Sequence, residues 1–142
     1  NIGTGSDGRV YLADRENHRV QVFNSDGRFL DQWANMARPC GLYINQEANL
    51  VYIGELGAAI GANDQARGLG PRVSVYDTDG KLLARVGDGP EGLAPGQFIA
   101  PHGVCLDSAG NIYVGEVSWT HTGQHLDPPQ EIRSLQKLVK TA

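Results

Sequence analysis

Arg15-Glu16-Asn17-His18 places a guanidinium, a carboxylate, an amide and an imidazole in four consecutive residues. Arginine offers a permanent, forked positive charge suited to carboxylates and phosphates, and histidine titrates near neutral pH, where it can act as a base or ligate a transition metal. A second imidazole, His102, stands in Ala100-Pro101-His102-Gly103, and a thiol, Cys40, in the parallel phrase Arg38-Pro39-Cys40-Gly41. The shared Pro-x-Gly frame makes the two positions equivalent. A thiolate beside an imidazole suits zinc; alternatively, Cys40 is a small packed residue. His121 and His125 have the i, i+4 spacing that would aim both at one metal on a helix, but Gly123 and Leu126-Asp127-Pro128-Pro129 predict a loop there. Trp119 and His121, together with Glu16, Asn17 and His18, are the candidate residues of a binding face. Arg15 also has a plain reading as a surface ion pair with its neighbour Glu16.

These residues need a scaffold, and the chain supplies one by repetition. Val10-Tyr-Leu-Ala-Asp14 aligns with Val51-Tyr-Ile-Gly-Glu55 and Ile112-Tyr-Val-Gly-Glu116, each an apolar run with tyrosine second and a carboxylate last. Arg19-Val-Gln-Val-Phe23 aligns with Arg72-Val-Ser-Val-Tyr76, and the turns Asn24-Ser-Asp-Gly27 and Asp77-Thr-Asp-Gly80 follow them. A preceding strand reads Gly41-Leu-Tyr-Ile44 and Gly103-Val-Cys-Leu106, in which Cys105 is expected in the core. One unit is therefore four antiparallel strands, and units of this length with strands apolar on both faces predict propeller blades stacked around an axis. The expected fold is all-β: an arc of about three four-stranded antiparallel blades, half of a six-bladed ring. The blades divide at about 1–36, with an incomplete first strand, 37–98, and 99–142, with the fourth strand missing.

In such a meander the start of the first strand and the link between the second and third fall on one face of the ring. Cys40, His102 and the three links collect there. The link of the second copy holds 16 residues between Glu55 and Arg72, against four between Asp14 and Arg19. Glycine-rich insertions of that kind shape binding surfaces. Asp14, Glu55 and Glu116 recur at one place in every copy, which suits turn and backbone capping; the alternative is a carboxylate ring around a cation such as calcium.

Composition narrows the partners. A net charge of −4 with no run of lysine and arginine argues against nucleic acid. No apolar run is long enough to cross a membrane as a helix, and the first residues carry no signal segment, so the chain reads as soluble with its compartment unknown. Two cysteines are too few for a disulfide framework.

The phrase Asn17-His18-Arg19, set between apolar-Tyr-apolar-x-Asp and Val20-Gln-Val-Phe23, resembles the NHL repeat. Ala13-Asp-Arg-Glu-Asn-His-Arg19 and Gln97-Phe-Ile-Ala-Pro-His-Gly103 further resemble the catalytic domain of peptidyl-α-hydroxyglycine α-amidating lyases, NHL-type propellers that hold zinc near the axis through histidines. That resemblance implies Arg15 as the substrate-facing arginine and His102 as a metal ligand. A second ligand would stand just before Asn1 and a third in a blade outside this chain. Gly103, where the family has an acidic residue, and Cys40, at the intervening blade start, depart from the pattern.

Two functions follow as expectations. One is a binding scaffold whose loop-rich face takes a protein or small-molecule ligand. The other is part of a zinc-dependent, amidating-lyase-like or hydrolase propeller whose site needs residues beyond this chain, so that the chain alone is not expected to be active. An open arc also exposes the stacking faces of its end blades. Either a longer native chain supplies the remaining blades or a homodimer closes the ring.

Overall fold

The computed structural model describes residues 1–57, 69–87 and 89–141. Among these described residues, eleven strands form three antiparallel sheets, each a meander in chain order. The first contains β1 (Ile2–Thr4), β2 (Val10–Asp14), β3 (Arg19–Phe23) and β4 (Phe29–Trp33). The second contains β5 (Pro39–Asn45), β6 (Leu50–Glu55), β7 (Arg72–Asp77) and β8 (Leu82–Val86). The third contains β9 (Pro101–Leu106), β10 (Ile112–Glu116) and β11 (Leu135–Leu138). The chain is thus an all-β propeller arc of three blades, the third with three strands among the described residues.

Short polar turns set the strand ends. Asn24 Oδ1 accepts the backbone N–H groups of Asp26 and Arg28, and Asp77 Oδ1 those of Asp79 and Lys81. Gly27 and Gly80 follow with φ of 78° and 87°, a left-handed conformation that glycine adopts without steric cost.

Because side chains alternate across a strand, every blade has a forward face, toward the next blade, and a rear face. Tyr11, Val20, Val22 and Trp33 of the first blade meet Val51, Ile53 and Tyr76 of the second in one buried cluster. Trp33 stacks on Tyr76 with ring centroids 5.3 Å apart and planes at 12°. Each large apolar side chain fully buried here contributes about 1.5–3 kcal/mol. Val73 and Val86 of the second blade similarly meet Val104, Val114 and Leu138 of the third, with Phe98 between them. The inner strands approach most closely. A Cβ on Gly41 of β5 would come within 2.6 Å of the His102 carbonyl oxygen and 3.1 Å of Gly103 Cα on β9, so that position must be glycine.

Cys105 is exposed, contrary to the core position expected from the apolar run around it. It pairs with Tyr113, whereas Val104, paired with Val114, carries the contacts to the second blade. Alternation therefore turns Cys105 onto the forward face of the third blade, which none of the described residues covers.

A carboxylate ends the second strand of every blade. Glu55, fully buried, accepts hydrogen bonds from Arg72 Nε at 3.0 Å, from the Ser74 hydroxyl, and from the Ala37 backbone N–H at 2.7 Å. Glu116 repeats the arrangement with Gln136 Nε2 at 3.0 Å and the N–H groups of Ile99 and Ala100 at 2.6 and 3.1 Å. Asp14 accepts from Arg19 Nε, Gln21 Nε2 and Asn17 Nδ2 at 2.8, 2.9 and 2.8 Å. The first two tie their own strand to the crossover arriving from the preceding blade, the backbone capping anticipated from their recurrence. Replacing Glu55 with alanine removes the counter-ion of the buried Arg72 guanidinium, which keeps its hydrogen bond to the Asn35 carbonyl, and is expected to cost about 3–5 kcal/mol. Asp14→Ala, at a partly exposed pair, should cost about 1 kcal/mol or less. Urea unfolding of the two variants against the parent chain measures both, and equal losses would contradict the structural role of burial.

Candidate functional site

The face carrying the strand-one starts and the strand-two to strand-three links gathers most of the reactive side chains. The link of the first blade is a single tight turn, Arg15–Asn17, closed by His18 in the left-handed region at φ 54°. That turn directs Arg15 toward the start of the second blade. Its Nη1 lies 4.0 Å from Cys40 Sγ, and its Nε pairs with Glu16 Oε1 at 2.8 Å. Cys40 is held by the opening of β5 and packs with Leu56, Ile99 and Ala100.

Two adjoining cavities share Arg15 and His102. The wider, about 500 Å³, is lined by Asn1, Arg15, Pro39, Cys40 and His102. The narrower, about 180 Å³, is walled by Leu56 and Val117 and carries Arg15, Arg38, His102, Thr120 and His121. Among residues named from sequence, the structure thus brings Arg15, Cys40 and His102 together and adds His121. Glu16 joins from the side, bridging Arg15 and Arg38, whose Nη2 is 2.9 Å from Glu16 Oε1. The Arg38 hydrogen bond, reinforced by Arg15 and opposed by burial, holds the Glu16 carboxyl below the usual carboxylate range.

Other candidates serve the site indirectly or stand apart from it. His18 Nδ1 accepts the Arg38 backbone N–H at 3.2 Å, so the imidazole steadies Arg38, itself at φ 54°. Asn17 turns back to Asp14. Trp119 is 40% exposed and lines neither cavity. Much of the second blade's long link, 58–68, lies outside the described residues.

The third blade's link departs from the predicted loop. It forms a helical turn, Ser118–His121, and a tighter turn, Gly123–His125, separated at Thr122, whose φ of −134° does not continue a helix. The backbone at Gly123 is pressed against Gln130, leaving 2.6 Å between an added Cβ and the Gln130 carbonyl oxygen. His121 and His125 consequently do not share a helix face, and only His121 reaches the cavity.

The metal donors at this face are Cys40 and His102, which share the wider cavity, and His121, which shares the narrower one with His102. A zinc centre needs at least three protein ligands, and no group of three or more His, Cys, Asp or Glu side chains suited to a metal occurs among the described residues. The described residues alone therefore do not fit a zinc site. What they do offer is positive charge at an apolar recess. Arg38, Leu56, Val117 and Thr120 were not singled out from sequence; of these, Arg38 was the most accessible to inference, as the basic residue before Pro39-Cys40-Gly41.

Burial pushes His121 below its ordinary value of 6.5; Arg38 and His125 act in the same direction and Glu91 opposes them. The folded state therefore prefers the neutral ring. The associated stability is present above the ordinary value and is lost as pH falls through it toward the depressed one. Between about pH 8 and about pH 5 the midpoint of thermal unfolding should fall less in His121→Gln than in the parent chain, and parallel profiles would contradict this assignment.

Comparison with known proteins agrees with this architecture. The NHL repeat family model matches residues 2–23, from β1 through β3. Among solved structures, the chain is similar to hydrazine synthase of Kuenenia stuttgartiensis, with a TM-score of 0.61 and 14% identity over 94% of this chain and 34% of that one. It is also similar to a luciferin-regenerating enzyme, with a TM-score of 0.59 and 15% identity over 99% of this chain and 44% of that one. A gluconolactonase of Xanthomonas campestris gives 0.52 and 18%, over 81% and 39%. At these identities the likeness is one of fold. The chain spans between a third and under half the length of these structures. No curated protein matches.

Proposed function

We propose that this chain is a ligand-binding arc of an NHL-type propeller and that its loop-bearing face takes a small molecule with a carboxylate and an apolar body. The observation that carries this reading is the recess shared by Arg15 and His102: a permanent cation at its mouth, Leu56 and Val117 in its wall, and the partly buried His121 beside them. A carboxylate can pair with the forked guanidinium, while the apolar part of the ligand displaces water from the wall. Glu16 orients Arg15 and Arg38 from outside the recess.

Titration calorimetry with hippurate, using benzamide as a neutral control, tests it. Hippurate should bind more tightly than benzamide, and Arg15→Ala should weaken hippurate about tenfold or more, equivalent to about 1.4 kcal/mol. Equal binding of the two probes, or unchanged hippurate affinity in Arg15→Ala, would contradict the assignment.

A second reading is favoured by the same juxtaposition of Arg15 and His102, the two residues that the amidating-lyase resemblance names. On this reading the arc belongs to a larger zinc-dependent lyase or hydrolase ring that supplies the remaining ligands. Stoichiometric zinc lost on His102→Ala would support it; metal-free protein both for this chain and for any longer parent chain would remove it.

A further inference from the structure

The recess has a second polar end that a single carboxylate on Arg15 leaves unused. Arg15 and His102 belong to both cavities, whereas Arg38, Thr120 and His121 line only the narrower one. All three can donate a hydrogen bond. Among the described residues, the lining of that cavity contains no carboxylate. His121 Nδ1 meets the Thr122 hydroxyl at 3.3 Å, while its Nε2 is buried with no hydrogen-bond partner among the described residues. In the tautomer that accepts from Thr122, Nε2 carries the proton and is a donor without an acceptor. Buried polar groups are seldom left in that condition unless a ligand or water completes them.

Arg38 is the most firmly placed of the three. Arg38 and His18 both have φ of 54°, a left-handed conformation that residues with side chains seldom adopt, and they meet across the blade boundary through the Arg38 N–H and His18 Nδ1. Backbone kept in that region is over-determined by its surroundings, a condition that clusters at ligand clamps. The side chain is fixed as well. It is 12% exposed, and its Nε and Nη2 reach the Glu16 carboxylate at 3.3 and 2.9 Å. Arg15 Nε reaches the same oxygen, Glu16 Oε1, at 2.8 Å, so the two guanidiniums stand side by side. One serves both cavities and the other only the narrower.

We propose that Arg38 is a specificity-determining residue and that this face selects a short-chain dicarboxylate: one carboxylate pairs with Arg15, and the second meets Arg38, the Thr120 hydroxyl and His121 Nε2. The proposal rests on the carboxylate-binding reading above and adds a second anionic group to it. At about 180 Å³ the narrower cavity holds about six water volumes, room for a carboxylate on a short methylene spacer. The methylenes lie along Leu56 and Val117, where they displace water from the apolar wall.

Titration calorimetry with glutarate and with its monomethyl ester, which keeps the spacer and one carboxylate but loses the second charge, tests this. The parent chain should bind glutarate about tenfold more tightly than the ester or better. Arg38→Gln should abolish that preference and change affinity for the ester by less than about twofold, because Arg15 still holds its carboxylate. Thr120→Val, a near-isosteric change at an exposed position, should reduce the preference in the same direction and carries the test if circular dichroism shows that Arg38→Gln does not fold. No preference for glutarate in the parent chain, or a preference undiminished in the folded variants, overturns the proposal. So does an equal loss of both probes in Arg38→Gln, the result expected if one carboxylate bridges the two arginines. Arg15→Ala separates this proposal from the reading beneath it. If that variant weakens both probes while the glutarate preference is absent, the carboxylate site stands and the second anchor falls; if it leaves both affinities unchanged, the site itself is contradicted.

Discussion

The buried carboxylate at the end of the second strand is the interaction on which blade geometry depends. Glu55 satisfies Arg72 and Ser74 within its own sheet and, through its other oxygen, the Ala37 N–H on the crossover from the preceding blade. A charge taken out of water is tolerable only when its partners are complete, so the crossover has little freedom to shift without stranding that group. Glu116 fastens Ile99 and Ala100 in the same way. Stacking of apolar faces supplies the larger driving force, but it is non-directional; the carboxylate fixes where one blade begins relative to the last.

That constraint is what delivers the candidate site. The clamped crossovers run directly into Pro39-Cys40 and Pro101-His102, so the strand-one starts are positioned by the same hydrogen bonds that close the blades. Arg15 arrives from the other direction, on a turn too short to move far. The recess is therefore walled mainly by elements anchored on both sides, with the helical turn of the third blade completing it. Its chemistry is a local excess of cations beside apolar walls within a chain whose net charge is −4. Binding at such a site rests on where charges are placed rather than on overall composition.

Much of the fold was legible because it is written more than once. The aligned tyrosines, carboxylates and Asp-Gly turns gave strand order and blade form, since a repeated pattern of alternation has few ways to bury itself. The site was legible in part. Arg15, Cys40 and His102 were recognisable by type and frame, whereas Arg38 and His121 owe their roles to packing between blades. The two surprises share a cause. Cys105 resembles a core residue by its neighbours, and the His121 stretch resembles a loop by its glycine and prolines, yet neither outcome is written in those neighbours: strand pairing turns Cys105 to an exposed face of its sheet, and the Gln130 backbone packs against Gly123.

By itself, then, the sequence determined the repeating unit, the alternation of faces and the identity of the groups available for chemistry, because strand periodicity and turn stereochemistry are local. Tertiary structure decided which of those groups meet. Arg15 touches Cys40 across a blade boundary, His18 holds Arg38, and His121 joins the recess while His125 does not. The physical reason is that distances between blades depend on how two sheet faces interlock and where buried carboxylates pin the crossovers, neither of which is encoded within a single repeat.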